Sequence, residues 1–350
     1  MRILITADPE LPVPPKLYGG IERIIDSLVR ELQVRGHTVG LVAHRDSTCD
    51  AEQFAWSGLR SQDILRNTAT LWSAVQKFQP DIVHSFSRIF YLFPLLRSPL
   101  PKIMSYQRQP SYKTVHWATI AANSLSFTGC SAHIARQGQL AGGDWHSIHN
   151  FVETNKYTFQ PQVSADAPLV FLSRIERIKG THTAIAVALR TGRRLLIAGN
   201  YATTGEAGDY WQQEIVPYLG RNGIEYVGTV DDAQKNQLLG QAAAMIVPIE
   251  WDEPFGIVFA ESLACGTPVI SCARGAVPEI VRPEIDGYLV NDVAQACAAV
   301  QNLHKINRQN CRRRVEECFS SSVVVQQYEQ LYAQLVKIKH DPRAICSIPC

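Results

Sequence analysis

Residues Glu250–Ile270 read E-W-D-E-P-F-G-I-V-F-A-E-S-L-A-C-G-T-P-V-I, and this is the most informative stretch of the chain. An apolar run, Ala244–Val247, leads into it and predicts a buried strand. Pro254 suits the first turn of a helix, where its missing N–H costs nothing, and Gly266 suits the residue that ends a helix. The stretch therefore predicts a strand, an acidic loop, a short helix and a second strand, which is the repeating unit of a parallel α/β sheet.

Two carboxylates in this stretch, Glu253 and Glu261, are separated by seven residues. Along a helix, eight steps correspond to a rise of about 12 Å and to directions about 80° apart. Paired carboxylates that act on one glycosidic bond lie about 5–9.5 Å apart. The spacing therefore favours two glutamates that hold different parts of one long, polar ligand.

Length, charge and cysteine content limit the class of protein. The chain has 350 residues, a formal net charge of +2 and nine cysteines. The length suits two domains, and the charge balance calls for neither nucleic acid nor an anionic membrane as a partner. The start of the chain lacks a signal-peptide pattern, no apolar run is long enough to span a bilayer, and the cysteines form no C-x-x-C pairs. These features predict a cytoplasmic protein with reduced thiols.

Apolar strands alternate with amphipathic helices along the chain, which predicts α/β domains with parallel sheets. The first series covers residues 1–155 and the second covers residues 165–320, with a polar connector at Thr154–Pro168. Two Rossmann-like, doubly wound domains in tandem imply a cleft at the carboxyl ends of their strands. Apolar residues at helical spacing over Ser322–Lys337 predict a further helix, within a tail that covers residues 322–350.

Glycines and cations lie where loops lead into predicted helices. Gly19 and Gly20 precede the first long helix, where N–H groups and the helix dipole favour an anion; the alternative is a plain tight turn, and there is no G-x-G-x-x-G fingerprint. Arg174 and Lys179 follow the strand Leu169–Leu172 and suit binding of a diphosphate. The Arg174 guanidinium can donate two parallel hydrogen bonds, and the Lys179 ammonium supplies a compact positive charge. The alternative for this pair is a solvated basic loop.

Two further features have both a structural and a functional interpretation. His84 ends a predicted strand, where a lone histidine is either structural or faces a ligand. The basic runs Arg193-Arg194 and Arg312–Arg314, with Lys305 and Arg308 nearby, are typical of a solvated helix face, and a weak contact with an anionic membrane is the alternative. No D-x-D pair follows a strand to hold Mg²⁺ against a diphosphate, so we expect a metal-free site without a cofactor.

Together these motifs resemble those of the family-4 retaining glycosyltransferases, which have the GT-B fold. The resemblance covers nearly the whole chain and is most specific at the E-x7-E block with its G-T-P-V tail. The other matching motifs are D-I-V-H (Asp81–His84), F-L-S-R-I-E-R-I-K-G (Phe171–Gly180), L-L-I-A-G (Leu195–Gly199), V-G-T-V (Val227–Val230) and E-I-D-G-Y-L-V (Glu284–Val290). The resemblance implies two Rossmann-like domains and a C-terminal helix that crosses back onto the first domain.

The resemblance also implies a role for each matching residue. Arg174 and Lys179 would hold the donor diphosphate and stabilise the leaving nucleotide, and Glu261 would bind the ribose hydroxyls. Glu253 would face the donor sugar, and His84 would lie near the transferred sugar and the acceptor, so that Glu253, Arg174, Lys179 and His84 would be the catalytic set. The remaining donor-binding positions would be Gly19, Gly20, Gly199, Val230, Phe255, Gly256 and Ile257.

The implied function is retaining transfer of a hexose from a nucleotide diphosphate sugar, of the UDP-glucose or GDP-mannose type, to an unidentified hydroxyl acceptor. The alternative is a nucleotide-sugar-binding protein without turnover on the same fold. Asn150–Glu153 reads N-F-V-E where the family often has N-G-V-D, and Gln107-Arg108-Gln109 stands where relatives often carry a histidine-containing pair. Both departures concern acceptor contacts and the hinge. A lipid-linked acceptor would place the enzyme peripherally at a membrane.

Overall fold

The structure is a computed structural model that describes residues 1–16 and 19–340. The chain divides into two compact units, one made of residues 1–150 and the chain from Ser321 onward, the other of residues 151–320. Each unit contains one sheet in which all neighbouring strands are parallel. The predicted α/β class with two doubly wound sheets is therefore confirmed.

The first unit is built around a seven-stranded sheet. Its strands are β1 (Arg2–Thr6), β2 (Thr38–Ala43), β3 (Glu52–Ala55), β4 (Ile82–Ser85), β5 (Lys102–Tyr106), β6 (Leu125–Gly129) and β7 (Asp144–Ser147). They lie in the order β3-β2-β1-β4-β5-β6-β7. Its helices are α1 (Gly20–Val34), α2 (Ile64–Phe78), α3 (Tyr112–Ala121), α4 (Ala132–Gln139) and the C-terminal helix (Ser321–His340).

The C-terminal helix packs on α1 in the first unit, as predicted. The Glu329 carboxylate accepts hydrogen bonds from Arg35 at 2.6 Å and from His37 at 2.8 Å. The Ser321 hydroxyl donates to Glu31 at 2.9 Å. Tyr332 is fully buried on the inner face of the helix. Residues that follow the second unit in sequence therefore complete the core of the first.

The second unit is built around a six-stranded sheet in which β8 is central. Its strands are β8 (Leu169–Leu172), β9 (Leu195–Ala198), β10 (Ile224–Gly228), β11 (Ala244–Val247), β12 (Val269–Ser271) and β13 (Gly287–Leu289). They lie in the order β10-β9-β8-β11-β12-β13. Its helices are α5 (Thr181–Thr191), α6 (Gly205–Tyr210), α7 (Asp232–Gly240), α8 (Ile257–Ala264), α9 (Val277–Ile280), α10 (Val293–Gln301) and α11 (Arg308–Cys318).

The stretch around α8 has the predicted order of elements but a later helix start. Pro254 does not lie in the first turn as predicted, because Gly256 is the N-cap, with φ 86°, and the helix begins at Ile257. The helix ends as predicted, and the Gly266 N–H donates to the Leu263 carbonyl at 2.9 Å. Moving the helix start to Ile257 leaves Glu253 in the loop at the carboxyl end of β11.

The polar connector belongs structurally to the second unit. The Gln160 N–H donates to the Cys265 carbonyl at 3.0 Å. The Thr158 N–H donates to the Asn236 side chain at 2.9 Å. The segment 154–168 therefore packs along α7 and α8, and the division between the two units falls after Asn150.

Candidate functional site

The predicted donor-binding residues of the second unit lie on two loops at one edge of its sheet. One loop leaves β8 and carries Arg174 and Lys179, and the other leaves β11 and carries Glu253. Strands β8 and β11 are parallel neighbours, so their carboxyl ends meet at the same edge. Because β9 lies on the other side of β8, successive connections leave in opposite directions here. Such a switch point is where open α/β sheets bind ligands.

An ion pair joins the two loops. The Lys179 ammonium donates to Oε2 of Glu253 at 2.7 Å, and the Trp251 indole N–H donates to the same oxygen at 3.0 Å. The ammonium also lies 4.4 Å from the centroid of the Trp251 ring, a distance at which a cation is attracted by the ring face. The side chains of Lys179 and Glu253 are 9% and 14% exposed. The loop therefore holds one cation and one carboxylate in fixed positions with little access to water.

Gly180 allows the two loops to come this close. Its φ of 77° favours glycine, and a Cβ atom there would lie 2.1 Å from the Pro248 carbonyl oxygen. The Glu250 N–H donates to the Ile178 carbonyl at 2.8 Å and ties the loops together. Gly180 is also the N-cap of α5. The first-turn N–H groups of α5 thus lie beside Lys179. These N–H groups and the Lys179 ammonium both favour binding of an anion.

Arg174 occupies a more open position than Lys179. Its guanidinium pairs with Glu176 at 2.7 Å, and 43% of its side chain is exposed. Arg177, on the same loop, pairs with Glu214 and lies over the Tyr210 ring. The structure thus brings Arg174 and Lys179 to one loop, as predicted, but only Lys179 is buried.

Glu261 lies on α8 and is held by Tyr157 and Lys235, which belong to none of the motifs of the predicted site. The Tyr157 hydroxyl donates to Oε1 of Glu261 at 2.7 Å, and the Lys235 ammonium donates to the same oxygen at 2.5 Å. Burial, followed by the neighbouring Glu261 carboxylate, raises the pKa of Tyr157 far above its ordinary value, so its hydroxyl stays protonated. The Lys235 ammonium also lies 3.3 Å from Asp232.

Glu253 and Glu261 thus have separate partners. One carboxylate contacts Lys179 and Trp251, and the other contacts Tyr157 and Lys235. No group is shared between the two sets in the described part of the second unit. This arrangement agrees with two carboxylates that bind different parts of a ligand.

The residues between the two glutamates form the start of α8. Phe255 is 2% exposed and packs against Phe319, with ring centroids 5.7 Å apart. Gly256 caps the helix and Ile257 opens it. The N-terminal N–H groups of a helix lack intrahelical acceptors, so this turn also favours a negative or hydroxyl-rich ligand. The Glu253 carbonyl is fixed by the Ala276 N–H at 2.8 Å.

Gly199 and Val230 follow the neighbouring strands β9 and β10. The Gly199 N–H donates to the Gly228 carbonyl at 2.9 Å, and its carbonyl accepts from the Tyr226 hydroxyl at 2.8 Å. Val230 lies half-buried just before α7. Both are therefore at the carboxyl edge of the sheet that carries Arg174 and Glu253, and their contact with a donor stays a prediction.

Gly19 and Gly20 lie in the first unit, at the N-terminus of α1. Gly19 is the N-cap, with φ 151°, and a Cβ atom there would lie 2.6 Å from Cβ of Pro15. Glu22, in the first turn, is buried, and this burial raises the pKa of its carboxyl group. The local geometry requires glycine at position 19, whereas contact with a diphosphate stays a prediction.

The prediction that His84 lies beside substrate is contradicted by its surroundings. The side chain is fully buried at the end of β4. Nδ1 lies 2.6 Å from the Tyr332 hydroxyl and Nε2 lies 2.6 Å from the Ser105 hydroxyl, so both ring nitrogens are occupied. The ring also packs on Phe86, with centroids 4.3 Å apart. His84 is a core histidine that joins β4 to the C-terminal helix, which is the structural alternative.

The basic runs are not solvated helix faces throughout. Arg308 is 8% exposed and donates to the carbonyls of Gln160, Gly240 and Ala242 and to the Thr267 hydroxyl. Arg312 donates to the carbonyls of Tyr157 and Ala264. These arginines tie α11 to the rest of the second unit, and the expectation of a solvated face is wrong for them. Arg313 is exposed, as that expectation requires.

No group of three or more histidine, cysteine, aspartate or glutamate side chains within residues 1–16 and 19–340 is placed to hold a metal ion. None of the helices in those ranges combines the length and apolarity that crossing a bilayer requires.

Two family models match consecutive parts of the chain. The model for "Glycosyltransferase Family 4" matches residues 18–156, and the model for "Glycosyl transferases group 1" matches residues 156–317. A relative in sequence is the glycogen synthase of Mycobacterium tuberculosis, which is 24% identical over 87% of this chain and 86% of its own length.

Solved structures with the same fold include a sucrose-phosphate synthase from Thermosynechococcus elongatus. It is 19% identical, with a TM-score of 0.79, over 95% of this chain and 98% of the other. The Anabaena protein HepE, solved in complex with UDP-glucose, is 18% identical, with a TM-score of 0.73, over 95% of this chain and 100% of the other. At these identities the likeness shows the fold.

Proposed function

The chain belongs to the family-4 glycosyltransferases of GT-B fold, and we propose that it transfers a hexose, with retention of configuration, from a nucleotide diphosphate sugar to a hydroxyl acceptor. The observation that carries this proposal is the contact between Lys179 and Glu253. This ion pair supports the proposal because a cation can bind a phosphate and a carboxylate can bind sugar hydroxyls, and the two lie side by side at the switch point of a sheet.

Charge stabilisation is the chemistry that these residues supply. As the bond between the anomeric carbon and the phosphate oxygen breaks, negative charge develops on the departing diphosphate. Lys179 and the N-terminus of α5 are fixed before the reaction, and together with Arg174 they stabilise this charge most in the transition state. The acceptor oxygen forms the new bond on the same face of the sugar, and its proton passes to the leaving phosphate oxygen.

The two glutamates act as binding groups in this proposal. Glu253 accepts hydrogen bonds from hydroxyls of the donor sugar, beside the N–H groups of Gly256 and Ile257. Glu261 accepts from the ribose, and Tyr157 and Lys235 fix the orientation of its carboxylate. We propose UDP-glucose or GDP-mannose as the type of donor. We also propose that the cations and helix termini suffice without a metal.

The first experiment identifies the donor. A panel of nucleotide diphosphate sugars is screened for an increase in melting temperature, because a ligand that binds only the folded state stabilises it. The best donor is then incubated with an acceptor panel, and release of nucleoside diphosphate and the anomeric configuration of the product are measured. We expect a product of retained configuration and the same rate in EDTA and in Mg²⁺.

Variants test the assigned residues. We expect Lys179→Ala and Glu253→Gln to abolish transfer while the fold persists. The matched controls in the same unit are Lys305→Ala and Glu225→Gln, which change exposed residues and should leave the rate unchanged. Full activity in both site variants would contradict the proposal. Tight donor binding with neither hydrolysis nor transfer would instead support a binding protein without turnover.

A further inference from the structure

The first unit carries an exposed aromatic face, formed by Phe90, Phe93, Tyr112, Trp117 and Ile120. These side chains are 40%, 62%, 60%, 37% and 74% exposed. Soluble proteins rarely expose contiguous apolar groups without a binding role. The donor site proposed in the second unit does not account for this aromatic face.

Packing within the aromatic face shows that it is one surface. Phe90 and Phe93 lie three residues apart on a short 3₁₀ helix, Ile89–Leu95, so their side chains point the same way. The Trp117 ring lies parallel to Phe93, with centroids 6.2 Å apart, and lies 5.9 Å from Phe90. Phe90 and Phe93 thus contact α3 through Trp117.

The outer side of α3 extends this surface and adds a positive charge. At 100° per residue, Tyr112, Lys113, Trp117 and Ile120 all lie within one 140° arc, and all are exposed. Val115 and Ala118 lie on the opposite side and are fully buried. Helix α3 therefore presents aromatic, aliphatic and cationic groups together to solvent.

The sequence around the aromatic face is strongly one-sided in charge. Residues 64–143 contain eight lysines and arginines and a single acidic residue, Asp81. The Asp81 carboxylate accepts from the Arg2 N–H at 2.8 Å, at the opposite end of β4 from His84. Lys113 and Arg97 are exposed and have no ion-pair partner among residues 1–16 and 19–340. The chain as a whole is almost neutral, so this imbalance is local.

We propose that the aromatic face, with Arg97 and Lys113, binds the surface of an anionic phospholipid bilayer. Aromatic rings with cations beside them suit the headgroup layer, where the rings enter the acyl boundary and the cations meet lipid phosphates. Each cation near an anionic leaflet adds to the affinity. The surface is distinct from the Arg312–Arg314 run, of which Arg312 is bound to carbonyls within the second unit.

The test measures co-flotation of the full chain with vesicles. The protein should float with vesicles of phosphatidylcholine containing 30 mol% phosphatidylglycerol at low salt, and this binding should be lost at high salt. Much less protein should float with vesicles of pure phosphatidylcholine. Phe93→Ser with Ile120→Ser should lower the partition coefficient roughly tenfold or more, from the apolar area that no longer enters the membrane. Arg97→Gln with Lys113→Gln should lower it about 25-fold, at about fivefold for each charge removed.

Matched controls distinguish the loss of this particular surface from the loss of any exposed apolar or cationic side chain. Leu140→Ser removes an apolar side chain that is 73% exposed elsewhere in the first unit, and Arg313→Gln removes an exposed cation of the second unit. Both should bind vesicles as the wild type does. Circular dichroism and melting temperature confirm that every variant is folded.

Two results would overturn the proposal. One is absence of flotation with anionic vesicles at low salt. The other is flotation that Phe93→Ser with Ile120→Ser does not reduce. Sedimentation without vesicles identifies a competing occupant, because concentration-dependent dimers that these two substitutions abolish, with no vesicle binding, would assign the surface to a second copy of the chain.

Discussion

The Lys179 ammonium and the Glu253 carboxylate lie 2.7 Å apart although 74 positions separate them in the sequence. Neither side chain is more than 14% exposed. The pair joins the loop after β8 to the loop after β11, so it fixes both the cation and the carboxylate of the proposed donor site. Stability and activity should therefore respond to this pair in different ways.

Single and double substitutions at this pair should separate the two responses. Lys179→Met leaves a mostly buried carboxylate without its cation, so we expect a loss of about 3 kcal/mol in the free energy of unfolding. Lys179→Met with Glu253→Leu removes both charges and should recover most of that loss, while transfer stays below detection. Urea unfolding and turnover of the best donor measure the two quantities. Recovery of activity in the double variant would refute the proposed roles.

Tyr157→Phe should weaken donor binding with little effect on the chemical step. The substitution removes the hydroxyl that donates to Glu261, and one such hydrogen bond contributes about 1 kcal/mol. We expect the KM for the donor to rise about fivefold and kcat to change less than twofold. Tyr218→Phe, at a tyrosine that is 41% exposed in the same unit, is the control. An unchanged KM would show that Glu261 does not depend on Tyr157.

The buried imidazole of His84 should make stability depend on pH. Burial lowers the pKa of His84 from 6.5 to about 3. Between these two pH values the imidazole is protonated in the unfolded state and neutral in the folded state. The stabilisation is fully present above pH 6.5 and is lost as the pH falls towards 3. Unfolding of the wild type and of His84→Asn should therefore differ in free energy at pH 7 by more than at pH 5. A constant difference would contradict the low pKa.

The burial of His84 also predicts how kcat depends on pH. Because His84 stays neutral and bonded to Ser105 and Tyr332, its titration should not appear in the dependence of kcat on pH above pH 5. A rate profile measured with the wild type checks this. A limb near pH 6.5 that disappears in His84→Asn would restore a role for His84 in transfer.

Much of the fold could be predicted because buried strands leave an unambiguous pattern. Ala244–Val247 is a continuous apolar run, and its predicted bounds are those of β11. No apolar pattern predicts strands β3 and β7, because they are edge strands with few apolar side chains, E-Q-F-A and D-W-H-S. An edge strand is held by backbone hydrogen bonds on one side only, and such bonds leave little trace in side-chain type.

The proposed site could be predicted only in part. Lys179 and Glu253 lie in distinctive motifs, and the structure brings them together. Tyr157 and Lys235 support Glu261, but they come from the connector and from α7, where nothing in the local sequence indicates a partner. In the structure Asp231 caps the start of α7, and which helical residue faces α8 depends on packing between the two helices. His84 is the opposite case: it lies in a motif, but the motif does not predict that its side chain is buried.

Arg308 provides a last prediction, about stability without activity. Its guanidinium is buried and donates four hydrogen bonds, to three carbonyls and the Thr267 hydroxyl, and burial lowers its pKa. Arg308→Ala leaves these acceptors unsatisfied, at about 1–3 kcal/mol for each one that water cannot reach. We therefore expect a loss of about 4 kcal/mol in the free energy of unfolding, with Arg313→Ala within about 0.5 kcal/mol of wild type. Because Arg308 contacts neither Lys179 nor either glutamate, kcat for the folded fraction should not change. Equal effects of the two substitutions on unfolding would show that Arg308 is solvated in solution.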